Sequence, residues 1–301
     1  MKAPLTLSLL LTFCLMTYQA GAEIEQPKAD KAIILADKRI NESSGIAKSL
    51  RYPNIFWTLN DSGGEPCLFA IDSQGKTVAK VRVPKAANFD WEDITGGVDD
   101  QGKPSLYIGD IGDNLKVRGT LQIYRIPEPD LPKDPNKEIQ SAEPEIWHLA
   151  YPKKRHNAEC LMMHPLTREL YLLTKEEDGE SILYRVPKVN HSGQAVILEK
   201  VTGLSFPAIA RLGKSPGMAR ETTAGDFSPD GRHLIIATYS YLNEWTLSPT
   251  QTLAESLQAP AHLIEPPLTL QMEAVCYDTD GKSLWITSEQ LPTPLYHLKR
   301  P

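Results

Sequence analysis

Residues 221–247 read ETTAGDFSPDGRHLIIATYSYLNEWTL: two β-rich runs joined by a tight turn, with a third run close behind. The turn SPDG at 228–231 has the Pro, Asp and Gly chemistry of a hairpin. HLIIAT is a short apolar strand that ends in a small hydroxyl residue, and LNEWT follows it. This unit recurs along the chain. First runs equivalent to ETTAGDF are ESSGIAKS (42–49), DWEDITGGVDD (90–100), NAECLMMHP (157–165) and QMEAVCYDTDG (271–281). Second runs are NIFWTLNDSGG (54–64), SLYIGDIGDN (105–114), ELYLLTKEEDGE (169–180) and SLWITSEQLP (283–292).

Third strands are expected at CLFAID, LQIYRIPE, ILYRVPK, NEWTL and PLYHLK, and fourth strands at TVAKVRVP, EIWHLAYP, AVILEKVTG and AHLIEPP. Aligned on Ser44, Glu92, Glu159, Thr223 and Glu273, the copies are 48, 67, 64 and 50 residues apart. The surplus lies in the Pro- and Gly-rich insertions PKDPNKEIQSAEPE and PAIARLGKSPGMAR. Four-stranded repeats of roughly 40 to 50 residues are the signature of a β-propeller. The sequence therefore predicts an all-β chain, a five-bladed β-propeller of four-stranded blades, with a six-bladed ring as the alternative. A β-sandwich would not need five matching registers. The fifth unit lacks an outer strand, and KAIILADKRI (31–40) is expected to supply it and close the ring.

The first residues, MKAPLTLSLLLTFCLMTYQAGAE, carry Lys2, an apolar run from Leu5 to Tyr18 and the small residues Ala20, Gly21 and Ala22. That order predicts a secretory signal peptide over 1–22 and one propeller domain over 23–301 in an exported, periplasmic or secreted protein. The apolar run is shorter than the ~20 residues that span a bilayer, so no membrane span is expected after cleavage. The formal net charge is −6, which does not suit nucleic acid. Cys67, Cys160 and Cys276 have no metal or redox spacing, and they read as small buried hydrophobes.

In each first run the aligned residue and the one two before it share a face. The pairs are Glu42 with Ser44, Asp90 with Glu92, Asn157 with Glu159, Glu221 with Thr223, and Gln271 with Glu273. Every blade thus contributes a Glu. First strands line a propeller's channel, so these carboxylates would crowd one axis, where they cannot all ionise without a counter-charge. A hard cation is expected, and Ca²⁺ accepts six to eight oxygen ligands. Glu42, Glu92, Glu159, Glu221 and Glu273 are its candidate ligands, whereas no His or Cys recurs in these slots as zinc would require.

A second ring is predicted at the ends of the second strands. Asn60, Asp110, Thr174, Thr238 and Ser288 are followed by Asp61, Ile111, Lys175, Tyr239 and Glu289, and Asp113 and Asn114 extend the ring. Both rings open onto one mouth. Lys153, Lys154, Arg155 and His156 enter blade 3, and Arg211, Lys214 and Arg220 enter blade 4, on that same face. A basic rim over a cation-loaded floor suits an anionic small molecule, and a glycan or a protein surface are the other partners considered. Arg155 and Arg220 join the second ring as candidate ligand contacts. For hydrolysis, Glu159, Asp226 and His156 are the candidate bases. No G-x-S-x-G elbow surrounds SSG at 43–45 or DSGG at 61–64.

ESSGIAKS, FWTLNDSGG, DWEDI, GDIGDN, NAE and MEAV together resemble the exported SdiA-regulated and phytase-like (esterase-like) propeller proteins, with a more distant similarity to NHL-repeat propellers. The resemblance implies a five-bladed propeller with a calcium site. It also admits, through more distant relatives, a metal-dependent hydrolase of phosphoesters, esters or lactones.

Overall fold

The expected runs are strands because their β-branched and aromatic side chains fill seams between neighbouring sheets. The computed structural model of the chain describes residues 24–188, 193–209, 211 and 215–300. The expected signal peptide and Lys214 lie outside the described residues. The strands form five separate, mainly antiparallel sheets, the five blades. Blade 1 runs outward through Ser43–Lys48, Ile55–Asn60, Cys67–Asp72 and Thr77–Arg82. Blade 2 comprises Trp91–Val98, Pro104–Asp110, Leu121–Pro127 and Glu145–Ala150. Blade 3 comprises Asn157–Met163, Leu170–Lys175, Glu180–Val186 and Glu199–Ser205. Blade 4 has Thr222–Phe227, His233–Thr238, Leu242–Thr246 and His262–Ile264. Blade 5 has Met272–Tyr277, Ser283–Ser288 and Pro294–Lys299. First strands pack side by side around the axis, the fifth against the first.

Ring closure comes from the N-terminal segment, in part within the expected residues 31–40, at Ile33–Ile34, and in part just ahead of them, at Lys28–Ala29. Lys28–Ala29 and Ile33–Ile34 both pair antiparallel with Pro294–Lys299. Five buried apolar clusters occupy the five seams. The one between blades 5 and 1 joins Ile46, Phe56 and Phe69 to Ala274, Trp285 and Leu295, with Leu35 and Ile40 of the N-terminal segment packed among them. Each large apolar side chain so buried contributes about 1.5–3 kcal/mol. Cys67, Cys160 and Cys276 are buried free thiols.

Short segments cover outer edges that would otherwise stay bare. Ile139–Gln140 runs parallel to the outer strand of blade 1, Val196–Ile197 to that of blade 2 and Ile24–Glu25 to that of blade 4. Each precedes the outer strand of the next blade. In blade 4 the equivalent place holds the helix Leu253–Ser256, started by a Thr252–Glu255 capping box and packed on the outer strand of blade 3. Among the described residues no helix is long and apolar enough to cross a membrane.

Candidate metal and ligand site at the channel mouth

The residues that align the five copies share a backbone irregularity. In every first strand the register against the second strand slips by one, at Ser44, Glu92, Glu159, Thr223 and Glu273. Each is the extra residue of a β-bulge, the device by which a strand re-aims one side chain. All five are buried carboxylates or hydroxyls, none more than 4% exposed. Ser44 Oγ donates to the carbonyl of Glu92 at 2.6 Å. Thr223 Oγ1 and Glu273 Oε2 are buried with no hydrogen-bond partner among the described residues.

Blades 1 and 2 bring Asp61, Asp90 and Glu92 together, with one carboxylate oxygen of each within 4.8 Å of the others. Gly112 makes the space: a β-carbon there would strike Glu92 Oε1 and Asp90 Oδ2. Among the described residues no lysine or arginine forms an ion pair with these three. Burial raises the carboxyl of Asp61 to about 6, opposed by the Ser62 N–H and reinforced by Glu159. Burial, then Asp61 and Glu159, raises Asp90 to about 6 as well. Glu92 lies well above the usual range, through burial first and then the charge of Glu159, with which it also shares a hydrogen bond.

Blade 3 supplies a resident cation. Lys175 Nζ lies 3.1 Å from Glu159 Oε1 and donates to the Tyr239 hydroxyl at 2.9 Å. Tyr239 in turn bonds the carboxyl of Glu273, whose proton affinity burial raises strongly against the pull of Lys175. Asn157 Nδ2 donates to Glu159 Oε1 at 2.9 Å. Glu289 is held by Gln271 Nε2 at 2.9 Å, and burial and then Asp61 push it to about 7. Glu42 is exposed at the rim, and its charge acts on both Asp61 and Glu289. Glu221 is raised by burial and lowered by Lys175.

The second ring divides in two. Asp61, Lys175, Tyr239 and Glu289 face the mouth. The residues before them serve their own loops: Asn60 Nδ2 donates to Arg39 O, the Thr174 hydroxyl accepts from Ile182 N, Thr238 caps the turn to Tyr241, and Ser288 Oγ accepts from Gln271 N. Asp110 pairs with Arg118 at 2.8 Å, leaving Oδ2 buried and unpartnered. The Asp113 carboxylate accepts from Val117 N and Arg118 N, and Asn114 Oδ1 accepts from Asn157.

Other candidates lie apart from the carboxylates. His156 is buried against Glu176 and between the rings of Tyr151 and Tyr184. Arg220 lies over the turn at Gly179, and Arg155 is exposed. Asp226 lines the opposite end of the channel. Four participants were not among the residues expected to bind. Asp90, Asn157 and Gln271 were signalled by the pairing rule that placed each beside a Glu, whereas Gly112 carries no signal until the fold brings it over Glu92 and Asp90.

No protein-family profile matches the chain, and no curated protein matches it. Solved structures similar to it include a gluconolactonase from Xanthomonas campestris, at TM-score 0.45 and 13% identity over 86% of this chain and 72% of that one. Hydrazine synthase from Kuenenia stuttgartiensis gives TM-score 0.41 and 12% identity over 84% and 70%, and U3-55K gives 0.41 and 9% over 85% and 67%. Nothing about activity follows from likenesses of this size.

Proposed function

We propose that the protein is an exported, calcium-binding propeller that holds a ligand at the acidic mouth of its channel, in the manner of the SdiA-regulated and phytase-like propellers it resembles. One observation carries the reading: carboxylate oxygens of Asp61, Asp90 and Glu92 lie within 4.8 Å of one another, and among the described residues none of the three has a basic ion-pair partner. Crowded carboxylates respond to such a place by keeping protons or by taking a cation. The donor set fits Ca²⁺, since it is all oxygen and of high charge. Asp61, Asp90 and Glu92 would hold the ion, and the hydrogen bond between Glu92 and Glu159 marks where a cation would compete. When bound, the ion would supply a fixed positive charge that polarises an oxygen of the ligand. Lys175, which gives two of its three N–H groups to Glu159 and Tyr239, would offer the third to an anionic group on that ligand.

Elemental analysis of the purified protein and melting curves with calcium or chelator test this reading. A ligand that binds only the folded state adds about 2.7 kcal/mol at a hundredfold excess over its Kd, roughly 5 °C for a chain of this size. If no metal copurifies and calcium leaves the melting temperature unchanged, the reading fails.

A second reading is a metal-dependent hydrolase of an anionic phosphoester, ester or lactone. Its support is Glu159, a carboxylate set between Glu92 and the Lys175 ammonium, where a base beside an ion would stand. Chelator-sensitive turnover in a hydrolase panel, lost in Glu159→Gln, would favour it over simple binding.

A further inference from the structure

The channel has a second end. On the face opposite the carboxylates, the first strands finish around a cavity of about 210 Å³. Ile46, Ile94, Met163, Phe227 and Tyr277 bring one residue from each blade to its wall, and Asp226 stands among them. Among the described residues two charged side chains line this cavity, Lys48 and Asp226. The Lys48 ammonium is already engaged, 4.2 Å from the Phe56 ring centre and 3.7 Å from Asp278. Asp226 has no basic partner among the described residues. Its Oδ1 accepts from Phe227 N at 2.9 Å and its Oδ2 from Tyr277 N at 2.8 Å. Burial raises it to about 7 even so.

Tyr277 N belongs to the next blade, so Asp226 also ties two blades together. Asp93 of blade 2 ties two blades in the same way, accepting from Ile94 N and Leu161 N at 2.8 Å each, but it does not line the cavity; at the cavity wall the task needs no charge. Three residues beyond the bulge the five first strands carry Ala47, Thr95, Met162, Asp226 and Cys276. In blade 2 the neutral Thr95 hydroxyl accepts from Met163 N of the next blade at 3.3 Å, the contact Asp226 makes to Tyr277. A carboxylate where a hydroxyl suffices is costly in an apolar cavity unless something cationic offsets it. Each oxygen keeps a lone pair beyond its backbone bond.

We propose that this end of the channel is a second binding site, which takes a small organic ammonium ion with an apolar body. The ammonium would sit on Asp226 and the hydrocarbon among Ile46, Ile94, Met163 and Phe227. Pockets that are apolar apart from one well-placed polar group bind such ligands, and the charge-assisted bond fixes their orientation. The volume equals that of about seven waters at roughly 30 Å³ each, room for a phenylalkylamine. The site is independent of calcium at the mouth.

Calorimetry at pH 8 with three probes of one shape tests the proposal: phenethylammonium, 2-phenylethanol and 3-phenylpropionate. The ammonium should bind at least about tenfold more tightly than the alcohol, the value of one charge-assisted bond over a neutral one, and the carboxylate should not bind. Equal binding of ammonium and alcohol, or no binding of the ammonium to the folded wild type, overturns it. Asp226→Thr keeps an acceptor for Tyr277 N, as Thr95 does for Met163, so it should erase the preference for the ammonium and keep the calcium response. A preference that survives in the folded variant would remove Asp226 from the site. Should that variant not fold, the three-probe comparison on the wild type decides alone.

Discussion

Lys175 Nζ and Glu159 Oε1 face each other at 3.1 Å across the first two strands of blade 3, with 15% and 6% of their side chains exposed. Asn157 pairs in register with Lys175, and the bulge that follows turns Glu159 back toward the same ammonium. The carboxylate at the mouth of a buried strand therefore has its counter-charge within its own blade, and the cluster proposed above for a metal is that of Asp61, Asp90 and Glu92. Removing one partner of a buried pair leaves the other charge uncompensated, at about 3 kcal/mol or more. Lys175→Met should accordingly lower stability in urea by about that amount, and Lys175→Met with Glu159→Gln should recover part of it. A Lys175→Met protein as stable as the parent would sink this assignment.

Asp90 gives the pH prediction. Its folded carboxyl titrates at about 6 against about 3.9 in an unfolded chain. Between those values the folded state holds the proton more firmly, so ionisation opposes folding and stability falls as pH rises through the window. Asp90→Asn has no such penalty. Carboxylates away from the mouth cancel in the comparison, and Glu92, relieved of the Asp90 charge, adds to the difference in the same direction. Without metal, the variant should match the parent at pH 4 and exceed it at pH 8. The full shift would be about 3 kcal/mol, and screening at a half-buried group reduces that to about 1 kcal/mol. Added calcium should reverse the order at pH 8, because only the parent keeps the ligand. Equal melting curves at both pH values, with and without calcium, would remove Asp90 from the site.

The sequence revealed the ring because every blade repeats one device, the bulged residue at the channel mouth, and such a device survives insertions elsewhere. Turns were visible where Gly supplies the positive φ, as at Gly102, Gly231 and Gly281. They were hidden in blades 1 and 3, where Asn54 and Arg168 take that conformation. Edge strands such as Ile139–Gln140 are two residues long and have no period to detect. At the mouth, residue types were readable but partners were not. Whether Lys175 meets Glu159 depends on strand register, and whether Asp113 faces a ligand or its own loop depends on a turn geometry that composition does not fix.

Gly112 separates the cradle from the fold. Its φ is not positive, so alanine is conformationally tolerated, yet the methyl would enter the space of Glu92 and Asp90. Gly112→Ala should lower the metal-free stability by about 1–3 kcal/mol, the usual cost of overpacking a buried site, leave the protein folded, and abolish the calcium-induced rise in melting temperature. An unchanged rise would place the ion elsewhere.

The N-terminal latch is the last test, and it bears on the whole ring. Blade 5 has three strands from the C-terminal part of the chain, and its fourth comes from Lys28–Ala29 and Ile33–Ile34. Deleting residues 24–34 would bare the edge of Pro294–Lys299 and also strip Ile24–Glu25 from the outer strand of blade 4. An unpaired edge is both a lost ladder and a template for aggregation. The deletion leaves Leu35 and Ile40 in the seam between blades 5 and 1, so it tests strand pairing more than core packing. The truncated protein should melt at least roughly 10 °C lower, several kcal/mol for a chain of this size, or aggregate on purification. Hydrogen exchange should quicken first in Pro294–Lys299 and only later in blades 2 and 3. Uniform exchange, or a melting temperature equal to the parent's, would mean that the ring is held by its seams and that the latch is dispensable.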